Sequence, residues 1–466
     1  MITGDKLREE CGIIGVYGHP EASNIAYLGL YALQHRGQES AGVVVSDGQS
    51  LLVEKGMGLV ADVFSEEHLR KLPGTVAIGH VRYSTTGTSN LANAQPFLAS
   101  YRQGSLALGH NGNLVNSVPL RAELESQGAI FSSSSDSEVM VHLIARSSAD
   151  SLLDATIDAL EKVRGAYCLV LMNEQELVGI RDPHGLRPLS LGKFKGGYVL
   201  ASETCAFDLI EARFVRDVEP GEVVRINQEG VHSHFPFPLA ETKQCIFEHI
   251  YLARPDSLLF GQSVHQVRHR LGAQLANEAP VEADLVVPVP DSGVYAALGY
   301  SRQSGIPFEY GLIRNHYIGR TFIEPKQSIR HFGVKIKLNA VRQVLEGRRV
   351  VVVDDSIVRG TTSRKIVSMV KAAGAREVHL RITSPPFLSP CYYGIDTPTR
   401  KELIAATHSK EEICRYLRAN TLSYLSLEGM MKAVDRKDGF CLACFTGDYP
   451  ISLHSQELVA QLALFE

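Results

Sequence analysis

The residues that could do chemistry fall in a few short stretches of the 466-residue chain. The most informative is RVVVVDDSIVRGTTSRKIV, in which an apolar strand ends at Val353, Asp354 and Asp355 follow, and a Gly360-Thr361-Thr362-Ser363 turn opens a helix at about Ser363. Outward-pointing backbone N–H groups at such a helix start, joined by the Thr361, Thr362 and Ser363 hydroxyls, would hold a phosphate. The place is the carboxyl edge of the strands, where open α/β sheets bind ligands. A plainer reading has Asp354 and Asp355 cap the helix while Gly360 turns the chain. Neither GxxxxGK[ST] nor GxGxxG is present, so this is neither a P-loop nor a dinucleotide fold.

Cys11, in MITGDKLREECGIIGVYG, poses a different question. It follows a charged decapeptide and precedes Gly12, which removes side-chain bulk where a substrate would meet the sulfur. Taken alone it reads as a core cysteine, because unpaired cysteine is among the most buried residue types. LQHRGQESAG, GHVRYSTTG, GHNGNLVN and SSSSDSEV are rich in groups that hold a small zwitterion or an oxyanion. As structure, Asn111-Gly112 reads as a hairpin turn and Asp136 as the cap of a helix starting at about Ser137. Towards the other end, CLACF places Cys441 and Cys444 in a CxxC, half of a metal site or a redox pair, with metal preferred outside a thioredoxin-like context. Cys245 and Cys391 are the natural candidates to complete four thiolates, and spacing does not separate zinc from an iron–sulfur cluster. Cys168, Cys205 and Cys414 are expected in the core.

The elements that must position these groups differ between the two halves. Up to about residue 235, short β-rich runs such as CGIIGVYG, AGVVVSDG, TVAIGHVRY, LALGHNGNL and AYCLVLMN alternate with glycine and asparagine turns. Helical patterns run from Ser23 to Leu33, Ser137 to Ala149 and Leu152 to Val163, which makes a layered α+β domain. The proline-rich, aperiodic VHSHFPFPLAETKQC is the linker, with its boundary near Pro236 to Thr242. Beyond it, apolar strands of the VVVV type each precede a helix, which indicates a parallel sheet covered on both faces.

Length favours two domains, and 44% hydrophobic with 21% charged residues is a folded, water-soluble composition. A net charge of −4 argues against a broad nucleic-acid surface. No secretory h-region or membrane-spanning apolar run is present, so a cytoplasmic location without nucleic-acid or membrane partners is expected.

VVVDDSIVRGTTS resembles the phosphoribosylpyrophosphate signature of type I phosphoribosyltransferases. The resemblance implies that Asp354 and Asp355 handle the ribose hydroxyls and Mg2+, and that Arg359, Gly360, Thr361, Thr362 and Ser363 cradle the 5′-phosphate. It also implies that the loop in VPVPDSGVYAALGY meets the pyrophosphate, with Ser292 contributing to the metal site. The basic run RNHYIGRTFIEPKQSIRHFGVKIKLNAVRQVLEGRR would ordinarily be a solvated face. Beside such a substrate it reads as a lid whose Arg314, Lys326 and Lys337 meet the departing pyrophosphate.

In the first half, the glutamine-holding stretches in their order, over roughly residues 11 to 235, resemble the class II glutamine amidotransferase domain, an N-terminal-nucleophile hydrolase with four αββα layers. That resemblance implies Cys11 as nucleophile and first residue of the mature chain, with residues 1–10 a propeptide. It implies Arg82 and Asp136 holding the glutamine α-carboxylate and α-amine, and Asn111 and Gly112 as oxyanion donors. An α-amine exposed at Cys11 has an unperturbed pKa of about 7.7 to 8.0 against about 8.5 for a thiol, so it can take the thiol proton without a histidine. The uncut chain, with an amide there, should lack glutaminase activity.

Joined, a propeptide (1–10), an amidotransferase domain (11–240) and a phosphoribosyltransferase domain with a cluster-binding tail (241–466) resemble the amidophosphoribosyltransferase family, and its Bacillus-type iron–sulfur subgroup in particular. The family turns glutamine and 5-phosphoribosyl-1-pyrophosphate into 5-phosphoribosylamine, glutamate and pyrophosphate. The resemblance implies a structural [4Fe–4S] cluster on Cys245, Cys391, Cys441 and Cys444, Tyr251 in EHIYLARPDS as a coupling residue, a homotetramer, and inhibition by purine nucleotides. A sugar-phosphate amidotransferase would not need VVVDDSIVRGTTS. A regulatory protein that only senses phosphoribosylpyrophosphate would need neither Cys11 nor the glutamine-binding stretches.

Overall fold

The computed structural model describes residues 11–83, 89–315 and 338–452, so the expected propeptide and the lid residues Lys326 and Lys337 lie outside the described residues. In the first half the strands are β1 (Gly12–Tyr17), β2 (Ser40–Ser46), β3 (Leu51–Met57), β4 (Val76–Arg82), β5 (Phe97–Tyr101), β6 (Gly104–Leu114), β7 (Gly165–Met172), β8 (Leu177–Arg181), β9 (Ser190–Phe194), β10 (Gly197–Ala201), β11 (Arg213–Asp217), β12 (Val223–Asn227) and β13 (Gly230–His234). They form two antiparallel sheets, in the orders β11-β9-β10-β1-β4-β2-β3 and β13-β12-β8-β7-β6-β5.

Period-two alternation decides what each sheet buries. Ile13, Val76 and Ile78 face the second sheet and meet Ala107, Cys168 and Val170. Their neighbours Ile14, Val16, Ala77 and Val81 face the other way, onto the helix Ala22–Ala32. The far side of the second sheet buries Leu106, Leu108, Leu169 and Leu171 under the helices Ser137–Arg146 and Leu152–Leu160. The result is helix, sheet, sheet, helix, the expected four layers. The middle helix is shorter than its pattern because Ser147 leaves the helix with extended backbone, φ −60 and ψ 143.

After a coil over 235–243 come the two-residue ladders β14 (Gln244–Cys245), β15 (Leu258–Leu259) and β16 (Gln262–Ser263). Then follow β17 (Leu285–Pro288), the antiparallel pair β18 (Leu312–Arg314) and β19 (Leu338–Ala340), β20 (Arg349–Asp354), β21 (Glu377–Ile382), β22 (Thr421–Tyr424) and β23 (Phe440–Cys441). The main sheet is parallel, in the order β17-β20-β21-β22. Val351 and Val353 face the helices Val264–Glu278 and Val294–Ser304, whereas Val350 and Val352 face Thr361–Ala372 and Lys410–Leu417. Burial on both faces is why this strand reads as an unbroken valine run. No helix among the described residues is long and apolar enough to cross a membrane.

Two buried histidines make the fold acid-sensitive. Burial lowers His80, on β4, and His249 to about 3 each. Between that value and the unfolded pKa of about 6.5, the unfolded chain binds protons that the native rings refuse, so stability is complete above about pH 6.5 and falls on acidification. The slope is up to about 1.4 kcal/mol per pH unit for each ring. Thermal unfolding should show a lower Tm at pH 5 than at pH 7.5; an unchanged Tm would mean that these rings are not buried neutral.

Candidate active sites and thiol centre

The first candidate site forms where the ends of the two first-domain sheets meet. Cys11 heads β1, only 8% exposed, with Sγ 3.7 Å from the Tyr83 carbonyl oxygen. Gly12 pairs with Val81, which brings Arg82 alongside. A Cβ on Gly12 would lie 2.9 Å from Val81 Cγ2 and 3.2 Å from Leu33 Cβ, so close packing requires the glycine. Arg82 is buried and its guanidinium lies 3.6 Å from Glu39.

Asn111 and Gly112 come from the other sheet, and they do not form the expected hairpin turn. The turn lies at Arg102-Gln103, where Tyr101 pairs with Gly104, and β6 then runs straight on to Leu114 in register with β7. Gly112 has φ +149, and a Cβ there would sit 2.0 Å from the Ala166 carbonyl oxygen, so close strand pairing demands the glycine. Gly112→Ala is therefore expected to destabilise the domain by about 2–4 kcal/mol, read as a lowered Tm.

The Ser202 hydroxyl joins the two sheets: it accepts from the Ile13 N–H at 3.0 Å and lies 3.5 Å from Asn111 Nδ2. Asn111 Oδ1 is buried without a hydrogen-bond partner. Turning the amide over lets Ser202 donate to Oδ1 and leaves the amide N–H groups available to a ligand.

Asp136 also departs from expectation. It stands at the start of the helix Ser137–Arg146 but makes no side-chain cap bond; its Oδ2 instead accepts from the Leu114 N–H at 2.8 Å, on the strand that carries Asn111 and Gly112. In SSSSDSEV, Ser132 and Ser133 donate through their N–H and hydroxyl groups to Glu138, and these bonds outweigh burial and hold that carboxyl below its ordinary value.

The second candidate site follows β20. Asp354 and Asp355 are buried; Asp354 Oδ1 accepts from the Asp355 N–H at 3.0 Å, and Asp355 accepts from the Ser356 hydroxyl at 2.6 Å and from the Ser292 hydroxyl. Pairing of Pro288 with Val353 places the Pro290–Gly293 loop beside these carboxylates. The helix begins at Thr361, two residues earlier than expected, and its N-cap position is Gly360 at φ +79. Since a glycine holds that position, the reading of Asp354 and Asp355 as caps gives way to a carboxylate that accepts from the next backbone N–H, at Asp354, and one that accepts from the Ser292 and Ser356 hydroxyls, at Asp355. Arg314, at the end of β18, is half-exposed and paired with Asp291 of the Pro290–Gly293 loop. Arg359 Nε and Nη2 donate to Glu402 at 3.1 and 3.0 Å. Tyr251 is half-buried against Phe247, in the core cluster under the helix Val264–Glu278.

The four expected thiols converge. Parallel pairing of β14 with β23 sets Cys245 directly beside Cys441, and both join Cys391 and Cys444 around one small, mostly apolar cavity that Arg187 and Tyr393 also line. The Tyr393 N–H points to Cys391 Sγ at 3.4 Å, and the Ala443 N–H bonds Cys441. Burial pushes Cys441 up to about 12 and Cys444 well above its ordinary value. Such thiols ionise only when a cationic centre compensates, and an all-sulfur donor set with N–H groups aimed at sulfur fits a thiolate-bound metal centre. Among the described residues no three metal-ligating side chains are placed to share one ion. Cys168 and Cys205 are buried and Cys414 is half-buried, as expected of core residues.

One group of residues was not singled out from the sequence: an ion network buried between the domains. Arg36 bonds Glu203 and both oxygens of Glu248, at 3.0 and 2.8 Å, and its Nε donates to the Cys11 carbonyl at 3.2 Å. Arg187 lies 3.4 Å from Glu248 and donates twice to the Tyr393 carbonyl, at 3.0 and 2.7 Å. The available signal was Glu248 in IFEHIYLA, a carboxylate inside an otherwise apolar run, which must find a buried partner.

Comparison with known proteins agrees with this two-part architecture. The glutamine amidotransferase domain family matches residues 80–208, and the phosphoribosyl transferase domain family matches residues 256–383. Amidophosphoribosyltransferase 1, chloroplastic, of Arabidopsis thaliana is 57% identical over 450 residues, covering 96% of this chain and 80% of that one. The solved structure of glutamine phosphoribosylpyrophosphate amidotransferase from B. subtilis complexed with ADP and GMP superimposes with a TM-score of 0.91 at 53% identity, over 96% of this chain and 98% of its own. A second solved structure, of the allosteric regulatory enzyme of purine biosynthesis, superimposes with a TM-score of 0.93 at 52% identity, over 97% of this chain and 98% of its own. With both domains matched in order and nearly the whole chain aligned at more than half identity, the chain belongs to the amidophosphoribosyltransferase family.

Proposed function

We propose that this protein hydrolyses glutamine at Cys11 and passes the ammonia internally to C1 of 5-phosphoribosyl-1-pyrophosphate, giving 5-phosphoribosylamine, the first committed step of purine synthesis. The observation that carries the internal transfer is direct contact between the domains at the first site. A Cβ on Gly394 would lie 3.1 Å from the Gly112 backbone, and Asn113 Nδ2 donates to the Tyr392 carbonyl at 2.9 Å. The domain division follows the coil before β14, near residue 240.

Removal of residues 1–10 exposes the α-amine of Cys11, which takes the Sγ proton. The thiolate attacks the glutamine amide carbon, and the oxyanion is stabilised by the Asn111 amide and the Gly112 N–H. Collapse returns the proton to the departing nitrogen and releases ammonia; water then cleaves the thioester to glutamate. Arg82 pairs with the substrate α-carboxylate and Asp136 with its α-ammonium.

At the second site Asp354 and Asp355 hold the ribose hydroxyls, and the N–H and hydroxyl groups of Gly360, Thr361, Thr362 and Ser363 hold the 5′-phosphate. Arg359 contributes when it leaves Glu402. Ammonia attacks C1 as the C1–O bond to pyrophosphate breaks, and Arg314, with Lys326 and Lys337, receives the leaving anion. Tyr251 lies in the segment between the sites and couples them.

Asp354, Asp355 and Ser292 would hold Mg2+, which neutralises charge on the pyrophosphate. Cys245, Cys391, Cys441 and Cys444 would hold a [4Fe–4S] cluster with a structural role, placing the chain in the Bacillus-type subgroup. Feedback inhibition by purine nucleotides is supported by the relative solved with ADP and GMP. A homotetramer belongs to the same reading, as does a cytoplasmic location, whose reducing conditions suit buried thiols. A protein that merely senses phosphoribosylpyrophosphate accounts for none of the first-domain site.

Intact mass and N-terminal sequencing of protein purified without oxygen, with iron and sulfide assayed on the same sample, test the reading. A chain starting at Cys11 with about four irons is expected. An active glutaminase still starting at Met1 would contradict the role of the α-amine.

A further inference from the structure

We propose that Glu248, a carboxylate of the second domain, is a positioning residue for the glutaminase half of the reaction. It fixes Cys11 and the Asn111–Gly112 strand relative to one another through Arg36 on one side and Arg187 on the other. The inference rests on the reading of Cys11 as the nucleophile.

The geometry is that of a bracket. Arg36 gives its two terminal nitrogens to the two oxygens of Glu248 and its Nε to the Cys11 carbonyl at 3.2 Å. That carbonyl carbon is bonded to the Cα that bears both the α-amine and the thiol, so holding it sets the direction of both. On the other side Arg187 reaches Glu248 at 3.4 Å and pins the Tyr393 carbonyl with two further bonds. The next residue, Gly394, packs on the backbone of Gly112.

Arg36, Arg187 and Glu248 are all within 1% of complete burial, where a shared carboxylate has no water to replace it. The two guanidinium groups overcome burial and hold Glu248 below its ordinary value, so it is the carboxylate that bridges them. Glu203 also binds Arg36 and is held in turn by His35, the Ser257 hydroxyl and the Arg254 N–H. If Glu248 loses its charge, Arg36 keeps Glu203 as a partner and stays ionised, but swings towards it and away from the Cys11 carbonyl. The expected consequence is a misdirected nucleophile rather than a lost substrate site, because Arg82 and Asp136 are not among these contacts.

The test is Glu248→Gln in the full-length, processed holoenzyme. Glutamine hydrolysis should lose about tenfold or more in kcat, with KM for glutamine within about threefold, and iodoacetamide should alkylate Cys11 more slowly. Synthesis from ammonium and 5-phosphoribosyl-1-pyrophosphate should stay within about twofold. An unchanged kcat, or an equal fall of glutamine- and ammonium-supported synthesis, would overturn the proposal. If the glutamine variant does not fold, Glu248→Asp is read by the same split. A wild-type chain beginning at Cys11 that releases no glutamate overturns the reading of Cys11 and this inference with it, whereas an active wild type beside an unaffected variant overturns only the role of Glu248.

Discussion

Cys11→Ala, made in a chain expressed without residues 1–10, should lose glutamine-supported synthesis by about a thousandfold or more and keep ammonium-supported synthesis within about twofold. The proposed mechanism routes the acyl bond through this sulfur, and alanine offers no nucleophile in its place. The fold should tolerate the change. Cys11 precedes β1 rather than lying within it, and the hydrogen bond from Sγ to the Tyr83 carbonyl is long, at 3.7 Å. The second site lies at the end of another sheet and uses none of these atoms. Steady-state assays with glutamine or ammonium as nitrogen donor check both halves of the expectation. Loss of both activities with a lowered Tm would return Cys11 to the status of a core residue.

Asp355→Asn should give the complementary result: synthesis falls by about a thousandfold with either nitrogen donor, while Cys11 remains alkylable and the glutaminase site intact. Asp355 directly follows the parallel strand β20 at its carboxyl edge, and its two oxygens are already oriented by the Ser292 and Ser356 hydroxyls. Those two hydroxyls donate to it, so a neutral amide cannot accept from both without presenting an N–H to one of them. It also lacks the negative charge that the proposed Mg2+ and ribose contacts would draw on. Calorimetric binding of 5-phosphoribosyl-1-pyrophosphate with Mg2+ separates this cause from misfolding: binding should be lost at an unchanged Tm. Synthesis by Asp355→Asn at the wild-type rate would remove this carboxylate from the site.

Much of this was legible because burial periodicity is local. The unbroken valines of β20 announced a strand covered on both faces, and short β-rich runs such as CGIIGVYG and TVAIGHVRY, set between turns and helical patterns, announced a layered α+β domain. Asn111-Gly112 misled for an instructive reason. The dipeptide is a turn signal only when nothing else requires φ > 0, and here Gly112 meets the Ala166 carbonyl in the middle of a strand pair. Asp136 likewise has the type and position of a helix cap, yet a strand N–H from a distant part of the chain competes for it and wins. The thiol centre was half visible: CxxC shows in the sequence, but only the two-residue pairing of β14 with β23 brings Cys245 to Cys441. Of the network of Arg36, Glu203, Glu248 and Arg187, the sequence shows only Glu248 standing in a mostly apolar run; its pairing with Arg36 and Arg187 depends on how the two domains dock, which no local pattern records.

In the proposed reaction one protein releases ammonia from glutamine and uses it at a second site without giving it up to solvent. The most direct test supplies amide-15N glutamine and 5-phosphoribosyl-1-pyrophosphate together with a large excess of unlabelled ammonium, and measures 15N in the trapped 5-phosphoribosylamine. Internal transfer predicts product labelled far above the isotope ratio of the ammonium in solution. Label diluted to that ratio would contradict it, and would mean two sites that merely share a chain.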